Sequence, residues 1–194
     1  SGFPLIDWGE AVDGVVFGFE AADEVLLEQV GHVLRRRVDV GQGQERVMGV
    51  LPFFHVFAMT VVMNFGIAKA AEIVMMPRFT LDEGLALINK VRPTIMPGVP
   101  TLFNAIQNHP KIKSYDLTSL KFCLSGGAPL PLEVKQKFEA TTGCRLVEGY
   151  GLSEASPVVT CNPIEGAPPP GSIGLPLPGT TVSLRSLADP NVPV

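Results

Sequence analysis

The sequence predicts an α/β fold, a parallel β-sheet wound by helices, and three observations carry that prediction. From Arg46 to Glu148, apolar runs of about five residues alternate with helix-length segments of about ten. Helix start and stop signals fall between the runs. The chain has 194 residues, 46% of them hydrophobic and 18% charged, which suits one domain, or one and a fraction, and excludes a largely disordered chain.

Residues 1–45 read as an atypical N-terminal segment. Residues 23–37 place Val25, Leu26, Val30, Val33 and Leu34 on one helical face, closed by Gly41-Gln42-Gly43. Residues 46–165 form the predicted α/β unit. Its first strand is 47–51, followed by a helix over 56–69 and a second strand over 72–76. Thr80-Leu81-Asp82-Glu83 is a capping box, with the Thr80 hydroxyl accepting from the Glu83 N–H and the Glu83 carboxylate reaching back to the Thr80 N–H. Leu85, Ile88 and Val91 then share a helical face, and Pro93 stops the helix. A third strand over 94–96 precedes Pro100, well placed in the first turn of a helix over 101–108. Residues 120–124 are a fourth strand. Pro131 opens another helix, Glu133 favours its positive end, and Gly143 suits a left-handed cap. Residues 145–148 are the fifth strand. Nine of the 18 prolines follow Ser156. Residues 166–194 therefore read as a Pro/Gly-rich connection that opens a further β subdomain, with a strand over 181–184.

Composition narrows the function. Fifteen basic against nineteen acidic residues, with no basic stripe, argue against a nucleic-acid partner, and Arg35-Arg36-Arg37 reads as a solvated helix end. Cys123, Cys144 and Cys161 form no C-x-x-C pair, so neither a disulfide scaffold nor a zinc site is expected, and a reducing compartment fits. His32, His55 and His109 lack ligand spacing. Residues 47–68 hold no Asp, Glu, Lys or Arg, long enough to span a bilayer, but Pro52 interrupts them. A strand, a turn and a buried helix is the preferred reading.

Ligands of an open parallel sheet bind beyond the carboxyl ends of its strands. There the sequence sets Pro52-Phe53-Phe54-His55, Pro97-Gly98-Val99-Pro100, Ser125-Gly126-Gly127-Ala128-Pro129 and Gly149-Tyr150-Gly151-Leu152-Ser153-Glu154. Gly126 and Gly127 let a backbone approach a flat ligand closely, or merely turn the chain. The Gly149 segment fails as a dinucleotide fingerprint, because Glu154 replaces the last glycine, and as a hydrolase elbow, because position 155 is alanine and no histidine follows. A nucleoside triphosphate with magnesium suits it better, with Tyr150 stacking on a ring, Ser153 offering a hydroxyl and Glu154 a metal-linked carboxylate. His55 is as much a structural histidine as a contact for a carboxylate substrate. Phe53, Phe54, Val56, Phe57 and Met59, with Val99, Leu102 and Phe103, line an aliphatic pocket or form core.

Five motifs in order carry a family resemblance. They are Leu51-Pro52-Phe53-Phe54-His55; Pro97-Gly98-Val99-Pro100-Thr101; Leu124-Ser125-Gly126-Gly127-Ala128-Pro129-Leu130; Glu148-Gly149-Tyr150-Gly151-Leu152-Ser153-Glu154; and Gly171-Ser172-Ile173-Gly174-Leu175-Pro176. Together they resemble the adenylate-forming acyl-CoA synthetases, most closely the bacterial long-chain fatty acid–CoA ligases. Ala155-Ser156-Pro157 and Cys161-Asn162-Pro163 strengthen the long-chain choice. The resemblance implies ATP-dependent activation of a fatty acid to an acyl-adenylate, then thioester formation with coenzyme A, with Mg²⁺ as metal. Gly126, Gly127, Ala128, Pro129, Glu148, Gly149, Tyr150 and Gly151 would form the adenine pocket. Ser153 and His55 would touch the reacting groups, and Glu154 would hold the metal. Phe54, Val99, Thr101 and Phe103 would lie along the acyl site. The implied partners are the fatty acid, ATP and coenzyme A, with a membrane surface and a second copy of the chain as further candidates, in the cytoplasm or at the inner membrane. The family's Ser/Thr-rich phosphate loop has no counterpart, since residues 2–59 hold no serine or threonine. Its C-terminal lysine-bearing domain has none either. The chain is therefore expected to be an internal piece that lacks the full reaction alone. An acid–CoA ligase for another carboxylic acid and a non-catalytic nucleotide-binding module are the alternatives.

Overall fold

The computed structural model describes residues 15–18, 43–166, 168–187 and 189. The helix expected over 23–37 lies outside them. A seven-stranded sheet runs in the order β3-β2-β4-β5-β6-β7-β8. The strands are β2 (Arg46–Gly49), β3 (Glu72–Met75), β4 (Ile95–Gly98), β5 (Phe122–Ser125), β6 (Arg145–Gly151), β7 (Val158–Cys161) and β8 (Leu175–Pro176). The first five of these pair in parallel, and β7 and β8 join antiparallel. The sheet is thus mixed rather than purely parallel, and it crosses the boundary expected near residue 165. Pro157 and Pro163 flank β7 and hide it in a proline-rich stretch. The expected strand over 181–184 is β9 (Thr181–Leu184), paired antiparallel with β1 (Val15–Gly18) in a separate two-stranded sheet.

Both faces of the central strands are buried, which explains their continuous apolar runs. Successive residues alternate between two cores. Val47, Ile95, Phe122 and Val147 face one helix, α1, while Met48, Met96, Cys123 and Leu146 face three others. Helix α1 has three parts, an α turn Val56–Ala58, a π segment Met59–Asn64 and an α turn Phe65–Ala68. It confirms the strand–turn–helix reading of the uncharged run, and among the described residues no helix is long and apolar enough to cross a membrane.

The opposite face carries α2 (Leu81–Val91), α3 (Pro100–Gln107) and α4 (Leu132–Thr142). Leu85 and Ile88 of α2 are fully buried, and Phe103 of α3 meets Phe138 of α4 edge to face, with centroids 5.2 Å apart. Thr80 is the N-cap of α2, but the capping box closes differently from the expectation. The Thr80 hydroxyl donates to Glu83 Oε2 at 2.7 Å, and the Gly84 N–H bonds the Thr80 carbonyl. The helix ends on Arg92 in the left-handed region, φ 52°, just before Pro93. Gly143 caps α4 at φ 72°, as expected.

The amino edge of the sheet is held by a buried carboxylate. Glu45 is 1% exposed, accepts from Lys121 Nζ at 2.6 Å and pairs with the Thr94 hydroxyl. Removing one partner of a buried pair strands the other charge. Lys121→Met is expected to lower unfolding free energy by about 3 kcal/mol, the low end for such a loss because the lysine is partly solvated. Urea unfolding measures this, and a variant as stable as the parent contradicts it.

Candidate functional site

The carboxyl ends of β2, β5 and β6 converge on one cavity of about 190 Å³. The N-terminal turn of α1, which follows β2, supplies His55, Val56 and Phe57. Strand β5 and its following loop supply Leu124, Gly126 and Gly127. The end of β6 supplies Gly149, Tyr150, Gly151, Leu152 and Ser153, and Pro157 and Val158 close the wall. Seven of the residues expected from sequence therefore stand together: His55, Gly126, Gly127, Gly149, Tyr150, Gly151 and Ser153.

His55 plays the structural role weighed for it, and it also lines the cavity. It is the N-cap of α1, with Nδ1 accepting from the Phe57 N–H at 3.2 Å. That bond leaves the proton of a neutral ring on Nε2.

The glycines differ in what they do. A Cβ on Gly126 would stand 3.0 Å from the Phe57 ring, so its bareness admits that ring. A Cβ on Gly127 would make only an ordinary contact with Val99, at 3.7 Å, but its φ of +80° is a conformation L side chains rarely adopt. A substitution there strains the backbone before it fills any ligand space. Gly151 is required by packing, because a Cβ would lie 1.8 Å from the Pro157 carbonyl oxygen. That contact accompanies the bond from Leu152 N–H to the same oxygen at 2.8 Å.

Several expected residues lie elsewhere. Ala128 and Pro129 are exposed on the loop after β5, beyond the cavity wall. Glu154 is exposed, one residue past Ser153 in the single 3₁₀ turn Ser153–Ala155. Among the described residues, no three His, Cys, Asp or Glu side chains cluster to hold a metal alone. Val99 lies beside the Gly127 turn. Thr101 is exposed. Phe54 is 89% exposed and borders a separate groove with Met75 and Phe79. Phe103 is fully buried in the core under α3 and α4, the face away from α1, so its place along a ligand tunnel is withdrawn.

Glu148 is half-buried, and its Oε1 accepts from the Leu130 N–H at 2.8 Å rather than lining the cavity. Burial holds its carboxyl above the usual carboxylate range, with the Leu130 N–H and the Lys135 charge pulling the other way.

A second, smaller cavity of about 40 Å³ adjoins the first. Leu124 and Val158 belong to both walls, and Val61, Phe65, Pro97 and Cys161 line the inner space. Its lining is wholly apolar. Burial pushes the Cys161 thiol up to about 12, so it stays a neutral wall residue. Sequence reasoning missed this space, because it depends on β7, a strand hidden by its flanking prolines.

The last motif is structural. Asn162 Nδ2 donates to the Ser172 carbonyl at 2.5 Å and the Thr160 hydroxyl to the Ile173 carbonyl at 2.7 Å. A Cβ on Gly174 would stand 2.0 Å from the Cys161 carbonyl carbon. The segment around Ser172 and Gly174 thus ties β8 against β7.

With this arrangement in view, comparison with known proteins is direct. The sequence profile of AMP-binding enzymes matches residues 22–193. The chain belongs to the AMP-binding enzyme family. It is 52% identical over 148 residues to a long-chain-fatty-acid–CoA ligase of Bacillus subtilis (strain 168), an alignment covering 76% of this chain and 26% of that protein. A long-chain-fatty-acid–CoA ligase of Yersinia pestis is 37% identical over 145 residues, 74% of this chain and 26% of the relative. The chain therefore spans about a quarter of the length of these curated relatives. The crystal structure of the anthranilate CoA ligase AuaEII in complex with anthranoyl-AMP matches with a TM-score of 0.78 at 22% identity, covering 92% of this chain and 34% of that one. This AMP-binding family member thus shares its fold with far more distant sequences.

The Glu148 environment gives a signed prediction. A carboxyl raised on folding contributes stability below its unfolded pKa and loses it as pH rises through the folded pKa. Glu148→Gln removes that titration and keeps an oxygen for Leu130. The melting temperature of Glu148→Gln relative to the parent is expected to be higher at neutral pH than near pH 4. A pH-independent difference, or the opposite sign, contradicts the assignment.

Proposed function

We propose that this chain forms the nucleotide and acyl half-site of a long-chain fatty acid–CoA ligase. One observation carries the reading. The glycine-rich loop, the Tyr150–Ser153 segment and His55 line one cavity, and Leu124 and Val158 belong both to its wall and to that of a neighbouring, wholly apolar space. A flat polar group joined to an aliphatic chain matches that division. The identity to long-chain ligases over most of this chain supports it.

In the proposed reaction a fatty carboxylate attacks the α-phosphorus of ATP and pyrophosphate leaves, giving the acyl-adenylate. The thiol of coenzyme A then adds to the acyl carbon, and AMP leaves. Attack of one anion on another needs positioning and charge neutralisation more than a protein nucleophile. Gly126 and Gly127 offer backbone beside the base, with Ala128 and Pro129 at its rim, and Tyr150 a ring to stack on it. The Ser153 hydroxyl donates to a phosphate oxygen. His55 is the candidate donor to the carboxylate. Leu124 and Val158, shared by the two walls, mark where the aliphatic chain passes, and Cys161 belongs to the apolar wall. Magnesium takes most of its ligands from phosphate oxygens and water, so one exposed carboxylate at Glu154 beside Ser153 suits it. When bound it neutralises phosphate charge. A cytoplasmic setting with contact at a membrane surface accords with an amphiphilic substrate.

Calorimetric titration with a non-hydrolysable long-chain acyl-adenylate mimic tests the reading, with NAD and an aromatic acyl-adenylate mimic as controls. Saturable binding that favours the long-chain mimic is expected. Preference for the aromatic mimic points to another acid, and binding of NAD overturns the site. Glu154→Gln is expected to weaken Mg·ATP binding roughly tenfold, about 1.4 kcal/mol, while Mg-free adenosine binding stays nearly unchanged. Equal loss of both removes the metal role.

A further inference from the structure

The loop 126–130 leaves β5 and enters α4 with two glycines and a proline, and it forms no part of the sheet ladder. Its two ends are tied. The Gly126 N–H donates to the Gly98 carbonyl at 3.1 Å, and the Leu130 N–H donates to Glu148 Oε1 at 2.8 Å. Between them, residues 127–129 are exposed.

The pleat explains why Glu148 serves the loop and not the cavity. Side chains alternate along β6, with Leu146 in the core under α4 and Val147 in the core under α1. Glu148 shares the face of Leu146. It is in register with Ser125, the residue from which the loop departs, and it reaches Leu130, where the loop returns. Leu130 itself is 8% exposed and packs in the same core. Its N–H has little access to water, so the carboxylate oxygen is the partner that holds it. Strand β6 grips the following helix as well. Glu139 Oε1 accepts from the Leu146 N–H at 2.9 Å, and Lys135 Nζ donates to the Leu146 carbonyl. The loop and the start of α4 are therefore moored to the strand whose far end supplies Tyr150 and Ser153.

We infer that Glu148 is a positioning residue, which staples the loop 126–130 to β6 and so sets the glycine backbone against the cavity without touching the ligand. The inference rests on the reading that this loop receives the nucleotide. The part played by Glu148 is to accept a hydrogen bond, and its charge is not required. Glutamine retains the acceptor and the reach, aspartate retains the charge and loses a methylene of reach, and alanine loses both.

Two readouts on the 194-residue chain test this: amide hydrogen exchange at Leu130, and adenosine affinity by calorimetry. Glu148→Gln is expected to keep Leu130 protected and adenosine affinity within about twofold. Glu148→Ala is expected to speed Leu130 exchange and weaken adenosine binding, each roughly tenfold. Glu148→Asp, which keeps a carboxylate at the site, should follow alanine and serves if the alanine variant does not fold. Glutamine behaving like alanine overturns the inference, since the charge would then matter. So does faster Leu130 exchange with unchanged affinity, or unchanged exchange in both alanine and aspartate variants. The exchange arm needs no nucleotide. If the parent fails to bind adenosine, the function proposed above fails, and the staple stands or falls on Leu130 exchange.

Discussion

Burial of both faces of the central sheet is the constraint from which the rest follows. Strands β4, β5 and β6 send alternate side chains into two dry cores, so nothing polar can act from the middle of a strand without losing its water. Chemistry is confined to the strand ends, where the chain turns outward. The amino ends are occupied by the Glu45–Lys121–Thr94 network, which closes that edge. The carboxyl ends are left for a site, and the parallel order β2-β4-β5-β6 brings those ends onto a single rim.

Local rules break at that rim in ways that serve the cavity. Pro97 sits in β4, a central strand, although proline cannot donate to the ladder. It lines the apolar space. Helix α1 departs from α-helical winding over Met59–Asn64, a segment that carries Val61 of the apolar wall and follows Val56 and Phe57 of the other cavity. Segments of this kind occur often at functional sites. The glycines divide the labour, Gly126 admitting the Phe57 ring, Gly127 turning the chain and Gly151 admitting the Pro157 backbone.

Much of this was legible in the sequence, and the reasons differ by element. The α2 and α4 boundaries carried chemical punctuation at Thr80, Pro93, Pro131 and Gly143, and each stands at or beside a real terminus. The parallel core was legible because strands buried on both faces show as short unbroken apolar runs. β7 was not, because proline flanks mask a four-residue strand whose partner lies across a turn. The site motifs were legible as segments but not as directions. The family resemblance implies acyl contacts at Phe54 and Phe103, and the turn before α1 sends the first to solvent while helix phase sends the second to the far core. The resemblance implies Glu148 as part of the adenine pocket, and alternation along β6 turns it toward the loop instead.

The central claim is that a cavity of mixed lining and a wholly apolar one, with Leu124 and Val158 in both walls, receive the two halves of one ligand. Backbone amide shifts of the chain, titrated with long-chain and acetyl forms of a non-hydrolysable acyl-adenylate mimic, test it most directly. Both forms are predicted to shift Gly126, Gly127, Tyr150 and Ser153, and only the long-chain form to shift Val61 and Cys161. Identical shift patterns for the two forms, or long-chain shifts confined to the groove beside Phe54 and Met75, would contradict the account.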